Sequence, residues 1–287
     1  MKSFRCFFCT SSRGEPYLIQ CKDYYLQKPV AVDYWQCLSC DLIQQSPLPA
    51  DTGSFYEGYP IHQRKGALFN FFRRLVNGGL YFQGVRHLRV QTLLDYGCGD
   101  GFFLEQLADQ VPEAMGLEPN DDHARRLSAH LQKPVFSRFE DVAKSYEGRI
   151  DVITMHFVLE HVLNLDQTLQ ECGRLLRPGG FVYLVVPNIF SWESRLLGRY
   201  WHNLDAPRHI SFPHLGTIQK LCQTHGFRLR EEKSVPFPNG VAASFPVILT
   251  GRFRFFLYAL FLPLGIVVSR LFPSAAKSYL LEKNNRV

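Results

Sequence analysis

The sequence predicts an α/β fold, a parallel sheet flanked by helices, with a small metal-binding segment ahead of it. Three observations predict this. Apolar runs of strand length alternate with patterns of helical period across residues 61–235. Three glycines, Gly97, Gly99 and Gly101, follow the first of those runs directly. Four of the eight cysteines fall into two CxxC pairs. The 287 residues are 46 % hydrophobic and 20 % charged, as in an ordinary globular protein. The formal net charge of +6 is a mild bias toward anionic partners.

Residues 1–60 carry the CxxC pairs and short strand-like runs, "PYLIQ" and "DYWQC". Cys6 and Cys9 with Cys37 and Cys40 have the spacing of a zinc ribbon. Four thiolates close a tetrahedral shell and leave no open position for water, so the expected zinc is structural. Cys21 has no CxxC partner and reads as a strand thiol. The opening "MKSFRCFFC" has no apolar core of signal-peptide length, so a cytoplasmic location is expected, where thiols stay reduced.

The middle zone then reads element by element. "QTLLDYG" is a buried strand and "FFLEQLADQV" the helix after it. "EAMGLEPN" is a second strand, and "DDHARRLSAHL" a helix with acids at its start, where the dipole favours them. "PVFSRFED" is a third strand, and "IDVITMHFVLEHV" a fourth running into a helical start. "DQTLQECGRLL" is a helix closed by "RPGG", and "FVYLVVPN" a fifth strand. "LGTIQKLCQTHGF" is a helix stopped by Gly226, with "RLREEKSV" as the strand beyond. Strands alternating with helices imply a parallel sheet covered on both faces, with ligands at the carboxyl ends of its strands.

The glycines fall as GxGxG. Phe102 stands where the dinucleotide fingerprint needs a third glycine, and no P-loop is present. Asp95 lies just before the glycines, where a carboxylate repels pyrophosphate and attracts a cation. Glu118, seventeen residues past Gly101, ends the second strand, where an acid suits a ribose diol. A ribose-bearing ligand with a positive end and no phosphate requirement fits these residues, and S-adenosylmethionine (SAM) is such a ligand.

"LLDYGCGDGFFLEQL", "GLEPN", "IDVITMHFVLEHV" and "LLRPGGFVYLVVPN", in this order, resemble the successive motifs of class I SAM-dependent methyltransferases. The LEH segment after the fourth strand is similar to the ubiquinone-pathway branch. The resemblance covers roughly residues 90–235. It implies a Rossmann-like seven-stranded sheet whose last strand is antiparallel. It also implies SAM as cofactor, with Asp95 and the run Gly97, Cys98, Gly99 to Gly101 along the methionine part. Glu118, followed by Pro119, takes the ribose, Phe139 and Glu140 border the adenine, and Met155 and His156 face the transferred methyl. "DYWQCLSCDLIQQSPLP" followed by "FYEGY" resembles the zinc-binding cap of bacterial methyltransferases that modify sugars, with Tyr56 and Tyr59 able to reach the pocket or to pack.

Methyl transfer aligns a nucleophile with the sulfonium and often removes its proton. His156, Glu160, His161, His202, His209 and His214 are candidate bases. On a helix opening at "HFVLEH", His156 and Glu160 would share a face. "WHNLDAPRHISF" places His202, Asp205, Arg208 and His209 in one polar loop after the fifth strand, and a D-x-P-R-H segment recurs in this branch. His209 is favoured as base or substrate ligand, then His202. Arg208 reads either as an anion contact or as a salt bridge fixing the loop.

Residues 236–287 form an apolar, basic tail. "FFLYALFLPLGIVVS" is fifteen residues without charge, short of a bilayer span and interrupted by Pro263. Arg252, Arg254, Arg270, Lys277, Lys283 and Arg286 surround it, which suits peripheral contact of residues 253–272 with an anionic membrane at its cytoplasmic face. The predicted acceptor is a small molecule, a sugar or lipid-linked intermediate, methylated on oxygen, with carbon as the open alternative. The charge is spread without a basic stripe on the ribbon, which argues against nucleic acid. A non-catalytic SAM-binding or zinc-ribbon interaction protein is the competing class.

Overall fold

The computed structural model describes residues 4–59, 66, 70, 71, 73, 74, 85, 87–108 and 110–285. The expected boundary at 60/61 and Arg286 lie outside the described residues. The strands are β1 (Gly14–Lys22), β2 (Ala31–Cys37), β3 (Ile43–Gln45), β4 (Thr92–Tyr96), β5 (Glu113–Leu117), β6 (Val135–Phe136), β7 (Ile150–His156), β8 (Leu176–Pro187), β9 (Ser211–Phe212), β10 (Phe227–Val235) and β11 (Ala276–Lys283). The helices are α1 (Gly53–Tyr56), α2 (Phe102–Ala108), α3 (Asp121–Leu131), α4 (Phe139–Tyr146), α5 (Leu165–Leu175), α6 (Trp192–Leu197), α7 (Leu215–His225), α8 (Asn239–Ala242), α9 (Ser244–Thr250) and α10 (Phe255–Leu271).

Among the described residues the strands form two sheets. The larger is seven-stranded, in the order β10-β11-β8-β7-β4-β5-β6. β4 pairs in parallel with β5 and β7, and β7 in parallel with β8. β11 is antiparallel to both its neighbours, as the resemblance implies. The central strands are buried on both faces, which is why Leu93, Leu94, Ile153, Val182, Leu184 and Val185 form near-continuous apolar runs.

The smaller sheet has the order β1-β2-β3-β9. Its last strand comes from the loop that carries His209, paired through Ile43–Phe212 and Gln44–Ser211. The cysteine-bearing segment and the loop that carries His209 therefore share one ladder. Phe4 stacks on Trp35 at 5.8 Å and covers the cysteines.

Four expectations change. The third strand stops at Phe136, and "FED" opens α4 instead, with Glu140 and Asp141 in a first turn that favours acids. "HFVLEH" is not a helix. His156 still belongs to β7, Phe157 takes a φ of 57°, and only Leu159–His161 form a 3-10 turn. The expected common face of His156 and Glu160 therefore does not exist. "RPGG" lies within β8 rather than ahead of it. The tail ends in β11, inside the sheet, so its last stretch is core rather than appendage.

α6 buries Glu193 completely, and neither carboxylate oxygen finds a partner among the described residues. Burial pushes its carboxyl up to about 7. A raised folded-state value adds stability that is complete below the unfolded value and is lost as pH rises through the folded one. Glu193→Gln is therefore expected to be more stable than the wild type at pH 8, by about 2 kcal/mol, and equal to it near pH 4.5. Thermal unfolding across that range checks this. A difference that does not grow with pH refutes it.

Candidate functional site

The glycine loop is a turn shaped by its own protein. Gly97 and Gly101 have φ of 72° and 76°, in the left-handed region. A Cβ on Gly97 would meet Val158 Cγ2 at 2.7 Å, and one on Gly101 would meet Leu127 Cδ1 at 2.6 Å. The loop brings Gly97, Cys98 and Gly99 to the end of β4, where they line a cavity of about 400 Å3. That size suits a small-molecule ligand. Asp95, His156, His161, His202 and His209 line the same cavity.

Asp95 is buried, and its Oδ1 accepts from Thr154 Oγ1 at 2.9 Å. Its Oδ2 finds no donor among the described residues. A buried carboxylate oxygen without a donor is costly, and the ammonium of an amino-acid group would satisfy it. Glu118 is buried one layer behind, accepting from the Gly99 and Asn120 N–H groups, both at 3.2 Å. His123 Nε2 lies 2.6 Å from Gly99 O and steadies the loop from α3. Pro119 follows Glu118 and leads to Asn120, whose side chain caps α3 by accepting from His123 N–H. Asp95 and the glycine loop fit the charged methionine end of SAM, while Glu118 is not among the residues lining the cavity.

His156 is buried at the end of β7, with its ring stacked on Phe103 at 4.2 Å and its Nδ1 3.6 Å from Asp95 Oδ1. Met155 points into the core. Phe139 and Glu140 are not brought to this cavity. Both lie against Arg174 on the outer side of α4, Phe139 with the guanidinium 5.5 Å from its ring centre and Glu140 as an exposed ion pair at 3.2 Å. His214 is a helix cap, its Nδ1 accepting from Gly216 N–H at 3.1 Å. Its role is structural.

His209 is held from three sides. Tyr34 Oη and Gln45 Nε2 both donate to its carbonyl, at 2.8 Å and 2.9 Å. Its Nδ1 donates to Asn203 O at 2.8 Å. This leaves Nε2 as the acceptor nitrogen, 3.8 Å from Glu160 Oε1. Burial, then the neighbouring His161, push the His209 imidazole down to about 3, so it is neutral near pH 7. Burial pushes Glu160 up to about 8, and among the described residues neither of its oxygens has a partner. His161 Nδ1 lies 2.8 Å from Tyr56 Oη. Glu160, His161 and His209 each offer one ligand atom, all within 4.8 Å of one another. This is a donor set able to hold a divalent cation or to take up a proton. His202 lines the cavity beside Tyr25, 6.4 Å between ring centres.

Arg208 does not face the cavity. It is fully buried, with bonds to Asp23 (2.9 and 3.1 Å) and to Asp205 (2.6 to 3.1 Å). Burial alone raises the Asp205 carboxyl, and the Arg208 guanidinium outweighs it, leaving the group at about 2. Arg208 is thus the salt bridge that fixes the loop. Asp23 was not legible as a site residue. Nor was Tyr25, which lines the cavity from the cysteine-bearing segment, since neither stands in a motif and only the packing of the two sheets brings them there.

The four cysteine sulfurs converge. Cys6 and Cys40 Sγ are 3.6 Å apart, Cys9 and Cys37 Sγ 3.5 Å, and all four lie within 4.8 Å of one another. A tetrahedral zinc with bonds of about 2.3 Å sets its sulfurs about 3.8 Å apart, so the cluster fits that ion.

A family model described as a methyltransferase domain matches residues 61–232. The chain belongs to that family. It is 28 % identical over 147 residues to the ubiquinone biosynthesis O-methyltransferase of Shewanella halifaxensis, covering 48 % of this chain and 58 % of that protein. It is 29 % identical over 139 residues to the mitochondrial ubiquinone biosynthesis O-methyltransferase of Homo sapiens, covering 45 % and 38 %. The chain thus spans roughly half the length of the curated relatives it matches. Among solved structures, it is similar in fold to phosphoethanolamine N-methyltransferase 2 of Haemonchus contortus. The TM-score is 0.54 at 13 % identity, covering 85 % of this chain and 63 % of that one. The seven-stranded sheet and the loop after β4 are those of class I SAM-dependent methyltransferases.

Proposed function

We propose that the chain transfers a methyl group from SAM to a hydroxyl oxygen of a small-molecule acceptor, a sugar or lipid-linked intermediate, and that its four-cysteine cluster holds structural zinc. One observation supports this most directly. Asp95 Oδ2, buried and without a donor among the described residues, lies in the same cavity as the glycine loop and His209. SAM supplies the electrophilic methyl. Asp95 would accept from its ammonium and Glu118 from its ribose hydroxyls. His209 Nε2, the open nitrogen of a neutral imidazole, takes the acceptor's hydroxyl proton. The Glu160 carboxyl, 3.8 Å from that nitrogen, offsets the imidazolium charge when it is already ionised. His202 and Tyr25 shape the acceptor side.

Isothermal titration with S-adenosylhomocysteine tests the cofactor half. Micromolar binding is expected, and Glu118→Ala should weaken it at least about ten-fold, the loss of hydrogen bonds to a charged group. Absence of binding to the wild type overturns the reading.

A further inference from the structure

α10 has two unlike sides. Gly265 and Ser269 are buried, and a Cβ on Gly265 would stand 2.6 Å from Pro238 O and 2.8 Å from Ala242 Cβ, so this side is pressed onto α8. The opposite side is a stripe at helical spacing: Phe256, Leu260, Leu264, Val267 and Leu271, exposed by 46 to 77 %. The apolar surface continues onto α6, where the Trp192 indole N–H donates to the carbonyl of exposed Phe272 at 3.4 Å.

The charges that flank the stripe along the chain have one sign. Arg252 and Arg254 precede α10 and Arg270 lies in its last turn, all exposed and none in an ion pair among the described residues. No acidic residue occurs between Lys233 and Glu282. The 17-residue helix is about 25 Å long, and no described helix is long and apolar enough to cross a membrane.

We infer that α10 lies in the headgroup layer of an anionic lipid bilayer, with Phe256, Leu260 and Leu264 inserted and the three arginines on the lipid phosphates. A second copy of the chain fits this surface less well. Two-fold pairing of the stripe would set arginines against arginines, with no carboxylate on the segment to offset them. An anionic bilayer takes both the apolar side chains and the charge.

Phe253, just ahead of α10, stacks on Tyr25 at 5.2 Å and lies 5.4 Å from His202, both of which line the cavity. The start of the docked helix therefore packs against one wall of the cavity. If the methyl-transfer reading holds, the acceptor is an amphiphile taken up from the bilayer. The docking itself does not rest on that reading.

Flotation with vesicles tests it, using phosphatidylcholine alone or with about 30 % phosphatidylglycerol. Binding is expected only to the anionic vesicles, falling at least about ten-fold between 0.1 and 0.5 M salt. Arg252→Gln/Arg254→Gln/Arg270→Gln should weaken it comparably. Phe256→Ser/Leu260→Ser/Leu264→Ser should abolish it while leaving S-adenosylhomocysteine affinity at the wild-type value. Wild-type protein that stays off anionic vesicles overturns the inference, as does equal binding to neutral ones. So does a serine variant that floats as well as the wild type. A wild-type dimer that the serine variant turns into a monomer, without vesicle binding, makes the stripe a self-interface instead. Vesicle binding without S-adenosylhomocysteine binding sinks the methyl-transfer reading alone.

Discussion

Replacing Arg208 with methionine is expected to cost about 3–5 kcal/mol of folding stability at pH 7. The guanidinium bridges two carboxylates away from water, Asp23 of the cysteine-bearing segment and Asp205 of the His209 loop. Removing it leaves two buried anions facing each other. They can relieve that only by taking up protons, so the deficit should shrink as pH falls. Denaturant unfolding at pH 7 and pH 4 gives the two values. Adding Asp205→Asn to the variant should recover part of the loss. A variant as stable as the wild type at pH 7 would show that the triad carries no net charge penalty. The loop should also loosen around His209, because Arg208 anchors its neighbouring residue, so S-adenosylhomocysteine binding should fall less than stability does.

Cys37→Ser is expected to release the metal and unfold the cysteine-bearing sheet. Structural zinc in small domains contributes an apparent ~10–16 kcal/mol near neutral pH, more than this short segment can replace by packing. Elemental analysis should find about one zinc per wild-type chain and none in the variant. Strand β9 pairs with β3, and Tyr34 and Gln45 hold the His209 carbonyl, so the variant should also lose ordered placement of His209. Its cavity on the β4 side, built on the other sheet, should retain cofactor affinity. A wild-type chain without metal, or a variant that keeps it, would contradict the zinc assignment.

What was legible in the sequence is what local chemistry specifies. The two CxxC pairs, the glycine turn with Asp95, and Glu118 just past β5 each read from residue type and spacing; the four thiols converge, and Asp95 lines one cavity with the glycine turn. The competition between strand and helix was less legible. "HFVLEH" has helical content, yet the β7 ladder carries His156 into the sheet, and the left-handed Phe157 then ends it. The resemblance put Phe139 and Glu140 at the adenine, but the acidic first turn of α4 turns them toward Arg174. Asp23 and Tyr25 were not legible, because their partners lie far along the chain and no spacing encodes a contact between two sheets. The tail showed its apolar character and its cations, but not that β11 would return to the sheet. Eight residues of mixed polarity give no sign of which neighbours they will take.

That returning strand has a consequence for how the molecule is made. β11 lies between β8 and β10, yet it is translated about ninety residues after β8 and forty after β10. On the ribosome, β4 to β8 can assemble as soon as they emerge, while β10 waits without a neighbour and β8 keeps an open apolar edge. The intervening α8 to α10 are themselves sticky. The nascent chain thus passes through an interval in which an unpaired edge and an apolar helix are displayed together, and closure of a long loop ends it. Chaperone capture or early membrane contact during that interval would govern yield more than the stability of the finished fold.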